Sequence, residues 1–207
     1  ARITCRRSTP SFPVVPAFRV RREVECGDNL VSRHAAKLAW HWQICAAGMV
    51  YSVPMRPHVI DIKEFYDSRL GAISRRQIRL ALRRLWPSTL GDVICGLGYA
   101  TPYLGPFREG AERVFAVMPA AQGGAPWPQD GPRRIAIADE TDLPFGDNSV
   151  DRMLLVHAVE HSDVLDEMLN EVWRVLRPEG RLVVVAPNRR GLWARAESTP
   201  FGQGRPF

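Results

Sequence analysis

The chain has 207 residues, 45% of them hydrophobic and 24% charged, the proportions of a globular protein with room for one α/β domain. No apolar run approaches the roughly 18 residues that a membrane-spanning helix needs. The net charge of +6 divides unevenly: residues 1–54 carry eight basic groups against three acidic ones, whereas residues 55–207 carry 20 against 19. The basic character belongs to the N-terminal segment, so the remainder makes no electrostatic claim on nucleic acid.

The four cysteines, Cys5, Cys26, Cys45 and Cys95, form no C-x-x-C pair. Their wide spacing points to free thiols in a reducing cytoplasm rather than to a disulfide framework or a zinc ribbon.

Taken in chain order, residues 1–54 are the least patterned. The stretch RRSTPSFPVVPAFRVRRE holds three prolines and no sustained period. A short helix within 32–51 lacks a clean apolar stripe. Ordinary globular patterning begins at Met55. The expected organisation is therefore a basic, poorly packed extension over 1–54, possible upstream sequence outside the native reading frame, followed by one domain over 55–207. Residues 62–86 read as a helix broken near Gly71, with Ile78, Leu82 and Leu85 on its apolar side. Arg75, Arg76, Arg79, Arg83 and Arg84 crowd elsewhere and read as its solvated face, with docking of an anionic surface or substrate as the alternative.

From residue 91 strands and helices alternate. Strands are expected over 92–98, 113–119, 134–138, 150–158 and 181–188. A Gly- and Pro-rich loop fills 120–132, and a turn fills 143–149. A helix over 162–176 places Val164, Leu165, Met168, Leu169, Val172 and Leu176 on one side, with Ser162 or Asp163 as its cap. The unbroken apolar run Met153–Val156 is that of a strand buried on both faces. This rhythm predicts an α/β fold, an open and mostly parallel twisted sheet with helices on both faces.

Two glycines, Gly96 and Gly98, stand where the first of these strands gives way to a turn. Such a turn lets a ligand approach the backbone at the C-terminal edge of the sheet. The dinucleotide fingerprint fails, because Thr101 occupies its sixth position and no acid ends the second strand.

The block ADETDLPFGDNSVDRMLLVHAVEH, followed by LNEVWRVLRPEGRLVVVAPN, resembles the class I S-adenosylmethionine-dependent methyltransferases. The resemblance covers about residues 60–207 and is most specific over 139–188. It implies a Rossmann-like fold and S-adenosyl-L-methionine as cofactor. By resemblance, Gly96, Leu97, Gly98 and Tyr99 form the glycine turn against the methionine part and ribose. Met118 stands at the end of the second strand. Asp139 takes the adenine amino group, with Glu140 and Thr141 as neighbours. His157 and Ala158 line the reacting end.

The departures are specific. Ile94 replaces the acid two residues before the first glycine, Ala100 replaces the third glycine, and Met118-Pro119 stands where the ribose-binding acid is expected. The family's sixth and seventh strands do not fit after residue 188, so the sheet is expected to hold five parallel strands and to lack its final two.

Methyl transfer is in-line displacement from a sulfonium, which demands alignment more than acid–base groups. No dyad is evident. Glu160 and His161 are the candidate proton acceptors, set against a reading of both as loop residues facing solvent or a helix start. Asp151 is expected to be structural. Asn188, Arg189 and Arg190 follow the last strand on the substrate side, where a solvated loop is an equal reading.

The activity implied is methyl transfer to an acceptor of unidentified class, small or macromolecular, with no membrane partner and no strong nucleic-acid signal in residues 55–207. The alternative is a non-catalytic cofactor-binding or regulatory relative on the same fold. A third reading takes His157 to His161, H-x-x-E-H, as an inverted zinc-hydrolase motif. That motif needs both histidines on one helix, and the strand expected through His157 argues against it, so no metal ligands are assigned.

Overall fold

The computed structural model describes residues 58–188 in full and the backbone of residues 18–25. The expectations for the other residues, including the helix within 32–51 and the roles of Arg189 and Arg190, lie outside the described residues.

Five parallel strands form the sheet: β2 (Val93–Gly98), β3 (Arg113–Pro119), β4 (Ile135–Ala138), β5 (Val150–Val156) and β6 (Leu176–Pro187). A sixth, β1 (Phe18–Glu25), adds antiparallel to β6, giving the order β1-β6-β5-β2-β3-β4. The fold is α/β and Rossmann-like. The chain steps outward from β2 to β3 and β4, then crosses back to β5 on the other side of β2. Strand order thus reverses between β2 and β5, and the crevice beyond their C-terminal ends is where open α/β sheets bind ligands.

The sequence reading assigned no strand to 18–25. In the ladder, Arg21 pairs with Val184 and pairing resumes at Val24 with Leu182, so β1 carries one extra residue there. A bulge of this kind breaks the period-two alternation by which a strand is read from sequence.

Side chains alternate along the inner strands and feed two apolar layers. Leu154 and Val156 pack with Ile94, Met118, Val183 and Val185 beneath the helices α1 (Val59–Asp67) and α2 (Arg69–Leu85) and the short α3 (Thr101–Leu104). Met153 and Leu155 pack with Cys95, Leu97 and Val184 on the opposite face, beneath α4 (Leu165–Val175). Ser68 divides α1 from α2. Its N–H closes α1 onto Glu64 and Phe65, and its hydroxyl accepts from the Gly71 N–H to cap α2. The expected break near Gly71 therefore falls three residues earlier.

Cys95 is fully buried, and burial pushes its thiol up to about 12, which leaves it unreactive. No helix among the described residues is long and apolar enough to cross a membrane.

Two expectations for α4 need correction. Leu176 begins β6 instead of completing the helix, because its carbonyl-side backbone turns extended at the cap. Val164 is 39% exposed and precedes the helix as its N-cap, with no side-chain cap bond there. Ser162 instead accepts from the Val164 N–H at 3.3 Å.

Arg174 clamps the turn before β5 to α4. It donates to Glu171 Oε2 at 2.8 Å, to Asp147 at 2.6 Å and to the Phe145 carbonyl at 2.9 Å, while Glu171 accepts from the Leu143 N–H at 2.9 Å. The Arg174 hydrogen bonds hold the Glu171 carboxyl below its usual value. A carboxyl lowered in the folded state contributes stability above its unfolded pKa, and that contribution fades as pH falls through the folded value. Arg174→Met is expected to cost about 2 kcal/mol at neutral pH, the loss of hydrogen bonds to a charged group. Urea titrations should show that cost shrinking as pH falls below the usual carboxylate range, where Glu171 takes up its proton.

Candidate functional site

The glycine turn at the end of β2 is shaped by close contacts with β5. Gly98 has φ +80°, and a Cβ built on it would stand 2.3 Å from the Val156 carbonyl oxygen and 3.2 Å from Ala158 Cβ. The Tyr99 N–H then donates to that same oxygen at 2.8 Å. One position upstream, Gly96 lies directly under Ala100, to which a Cβ would come within 2.5 Å. The G-x-G spacing thus lets β2, β5 and α3 meet without side chains between them.

His157 follows β5 with φ +54°, and its N–H donates to Val185 at 3.2 Å. That left-handed backbone ends the strand and turns the imidazole inward. Its Nε2 lies 2.8 Å from the Tyr66 hydroxyl, and its Nδ1 lies 2.6 Å from Glu160 Oε1. Burial first, and then Tyr103, hold the Tyr66 phenol well above its usual value, so it keeps its proton. We assign the Tyr66 O–H as donor to Nε2, and Nδ1–H as donor to the Glu160 carboxylate. This tautomer leaves Glu160 as the only charge in the buried chain. Tyr66 also stacks on Tyr99, ring centres 5.6 Å apart and 15° from parallel. Helix α1 is thereby tied to the ends of both β2 and β5.

Tyr66 was not among the residues expected here. It stands 91 positions before His157 and reads in sequence as an ordinary buried helix residue.

The residues His157 to His161 do not form one helix. His157 ends the strand, and Val159–His161 is a single 3-10 turn. Both ring nitrogens of His157 are engaged by Tyr66 and Glu160. Among the described residues no group of three His, Cys, Asp or Glu is arranged to hold a metal. Glu160 and His161, weighed as solvated loop residues, are instead turned inward. The Glu160 side chain is 8% exposed and His161 is buried.

At the end of β4, Asp139 and Thr141 are joined, the Asp139 carboxylate accepting from the Thr141 N–H at 2.9 Å and from its hydroxyl at 2.8 Å. Asp139 is exposed. Glu140 turns the other way, buried, and accepts from the Ser162 hydroxyl at 2.7 Å. The three consecutive residues therefore do not act as one group. Leu97 and Met118 lie in opposite apolar layers of the sheet, and the Met118 sulfur accepts from the Ala125 N–H at 3.4 Å. Asp151 accepts from the Val93 N–H at 2.8 Å and pairs with Arg177, a structural role at the far edge from the glycine turn.

Gln122 Nε2 beyond β3 and Glu160 Oε2 beyond β5 are among the buried polar atoms that find no hydrogen-bond partner among the described residues. They flank the glycine turn, one a donor and the other an acceptor. Orphaned groups of this kind are costly in a protein interior unless something else meets them. A ligand offering both hydroxyl and amino groups along the C-terminal edge fits that pair. S-adenosylmethionine, with its ribose and its amino-acid end, is such a ligand.

Residues 91–184 match the family model described as a methyltransferase domain. The chain is 34% identical over 110 residues to malonyl-[acyl-carrier protein] O-methyltransferase 1 of Coxiella burnetii, a stretch covering 51% of this chain and 36% of that protein. It is 40% identical over 48 residues to methyltransferase GfsG of Streptomyces halstedii, 23% of this chain and 17% of the relative. The matches thus span well under half the length of these curated relatives. Among solved structures, a complex between the Haloferax volcanii Trm112 methyltransferase activator and a methyltransferase is similar at 24% identity. It covers 60% of this chain and 59% of that one, with a TM-score of 0.47. Over residues 91–184 the chain is thus similar to the methyltransferase-domain family, in line with the class I methyltransferases that its motifs resemble.

Proposed function

We propose that the chain binds S-adenosyl-L-methionine at the C-terminal edge of β2 to β5 and transfers its methyl group to an acceptor. The observation that carries this reading is the glycine turn at the point where strand order reverses. Its glycines bring β2, β5 and α3 together with no side chains between them, and Gln122 and Glu160 stand on either side, each with one orphaned polar atom.

In this reading, the backbone from Gly96 to Tyr99 faces the amino-acid part and the ribose. His157 and Ala158 border the sulfonium end. Asp139, exposed at the end of β4 and braced by Thr141, takes the adenine amino group. The cofactor supplies an activated methyl, and the residues of this chain supply alignment. Glu160 Oε2 is the group positioned to take a proton from an acceptor hydroxyl or amine. The cysteine spacing supports a cytoplasmic setting.

Calorimetric titration with S-adenosylhomocysteine tests the reading directly. Saturable binding with one site per chain is expected. A flat titration at millimolar ligand, with the chain shown to be folded, would rule the cofactor reading out.

A further inference from the structure

We propose that Gln122 holds the ribose of the cofactor, donating from its side-chain amide where other members of the family place an acid. The inference rests on the cofactor reading above and gives one of this chain's own residues a part in it.

The order of strands sets the order of ligand groups. Along the C-terminal edge the strands run β5, β2, β3, β4. The reacting end is placed at His157 after β5 and the adenine at Asp139 after β4. A ligand laid across that edge therefore brings its middle, the ribose, to the glycine turn of β2 and the end of β3. In the sheet register Leu97 pairs with Val117, which puts Gly98 level with Met118.

The chain offers no carboxylate at that point. Met118 is fully buried in the layer beneath, and Pro119 ends the strand. The backbone then makes one 3-10 turn, Ala120–Gln122, closed by the Gly123 N–H on the Ala120 carbonyl at 3.2 Å. Ala120 and Ala121 are exposed, whereas Gln122 is 1% exposed, so its side chain is folded back into the protein. Two contacts fold the following loop back as well. The Ala125 N–H reaches the Met118 sulfur, and Gly123 lies against the His58 ring at the start of α1.

Within that fold-back, Gln122 Nε2 is buried and finds no partner among the described residues. A buried glutamine amide with its donor unmet is a poor structural choice, since a methionine of similar size would be buried there without that penalty. A ribose hydroxyl oxygen supplies the missing acceptor. The polarity differs from that of an acid, which accepts from the ribose hydroxyls. Here the protein donates and the sugar accepts.

The near-isosteric Gln122→Met, measured in the full chain, separates a ligand role from a structural one. S-adenosylhomocysteine should bind the variant about tenfold more weakly, the loss of one buried hydrogen bond. The ligand-free Tm should stay level or rise, because an unmet donor has been removed. The 2′,3′-dideoxy analogue of S-adenosylhomocysteine should bind both proteins equally. Unchanged affinity for S-adenosylhomocysteine, or a lowered ligand-free Tm with that affinity intact, overturns the assignment and leaves the cofactor reading standing. Failure of the wild-type chain to bind S-adenosylhomocysteine overturns both.

Discussion

Gly98→Ala is expected to destabilise the domain by about 3–5 kcal/mol, enough to leave much of the chain unfolded at ambient temperature. Two costs combine. The backbone at φ +80° is one an L-residue adopts with strain of about 1–2 kcal/mol. The added methyl would also stand 2.3 Å from the Val156 carbonyl oxygen, and that oxygen is not free to withdraw. It accepts from the Tyr99 N–H at 2.8 Å, the bond that closes the turn between β2 and β5. Relief therefore means parting the two central strands at their ligand edge. Gly105→Ala serves as the control, because a Cβ there meets nothing within 4 Å. Urea denaturation of both variants should show a large loss for the first and a change within about 1 kcal/mol for the second. A Gly98→Ala protein as stable as wild type would mean that the turn is not built as described.

That turn was readable from the sequence because its cause is local: two glycines follow an apolar run just where the chain must leave the sheet. The parallel strands were readable for a related reason. Burial on both faces leaves β5 and β6 as unbroken apolar runs, and no amphipathic helix imitates Met153–Val156 bounded by a turn. Leu176 was misplaced because an apolar residue one turn beyond Val172 suits a helix stripe and a buried strand equally. Only the backbone shows that β6 has begun. β1 was missed because its extra residue spoils the alternation.

At the site, the acids at 139 and 140 look alike in sequence. The structure exposes Asp139 and turns Glu140 onto Ser162, a distinction set by a hydroxyl 22 residues away. Tyr66 and Gln122 gave no signal at all. One sits in an apolar helix stripe, the other in a loop rich in Gly and Pro, and each gains its meaning from a neighbour distant in the chain.

The second large effect is expected at His157, where two buried polar groups depend on one ring. His157→Leu keeps the bulk and removes both hydrogen bonds at once. The Glu160 carboxylate then loses its Nδ1–H donor while its other oxygen is already without a partner among the described residues. The Tyr66 hydroxyl, fully buried, loses its 2.8 Å acceptor. Stranding a buried carboxylate costs about 3 kcal/mol or more.

The single variants should rank beneath it. Tyr66→Phe leaves Nε2 unmet but strands no charge, at about 1–2 kcal/mol. Glu160→Gln keeps a carbonyl acceptor for Nδ1–H and removes the charge, so it should cost least. That order, Leu at 157 above Phe at 66 above Gln at 160, follows only if the proton sits on Nδ1 and the charge on Glu160. Nitrogen NMR of the ring checks the tautomer directly, with Nε2 expected to be the bare nitrogen. A ring protonated at both nitrogens would make Glu160→Gln the most damaging of the three, since it would then remove the counter-charge of an imidazolium. The ranking thus tells a neutral hydrogen-bonded strut from a buried ion pair.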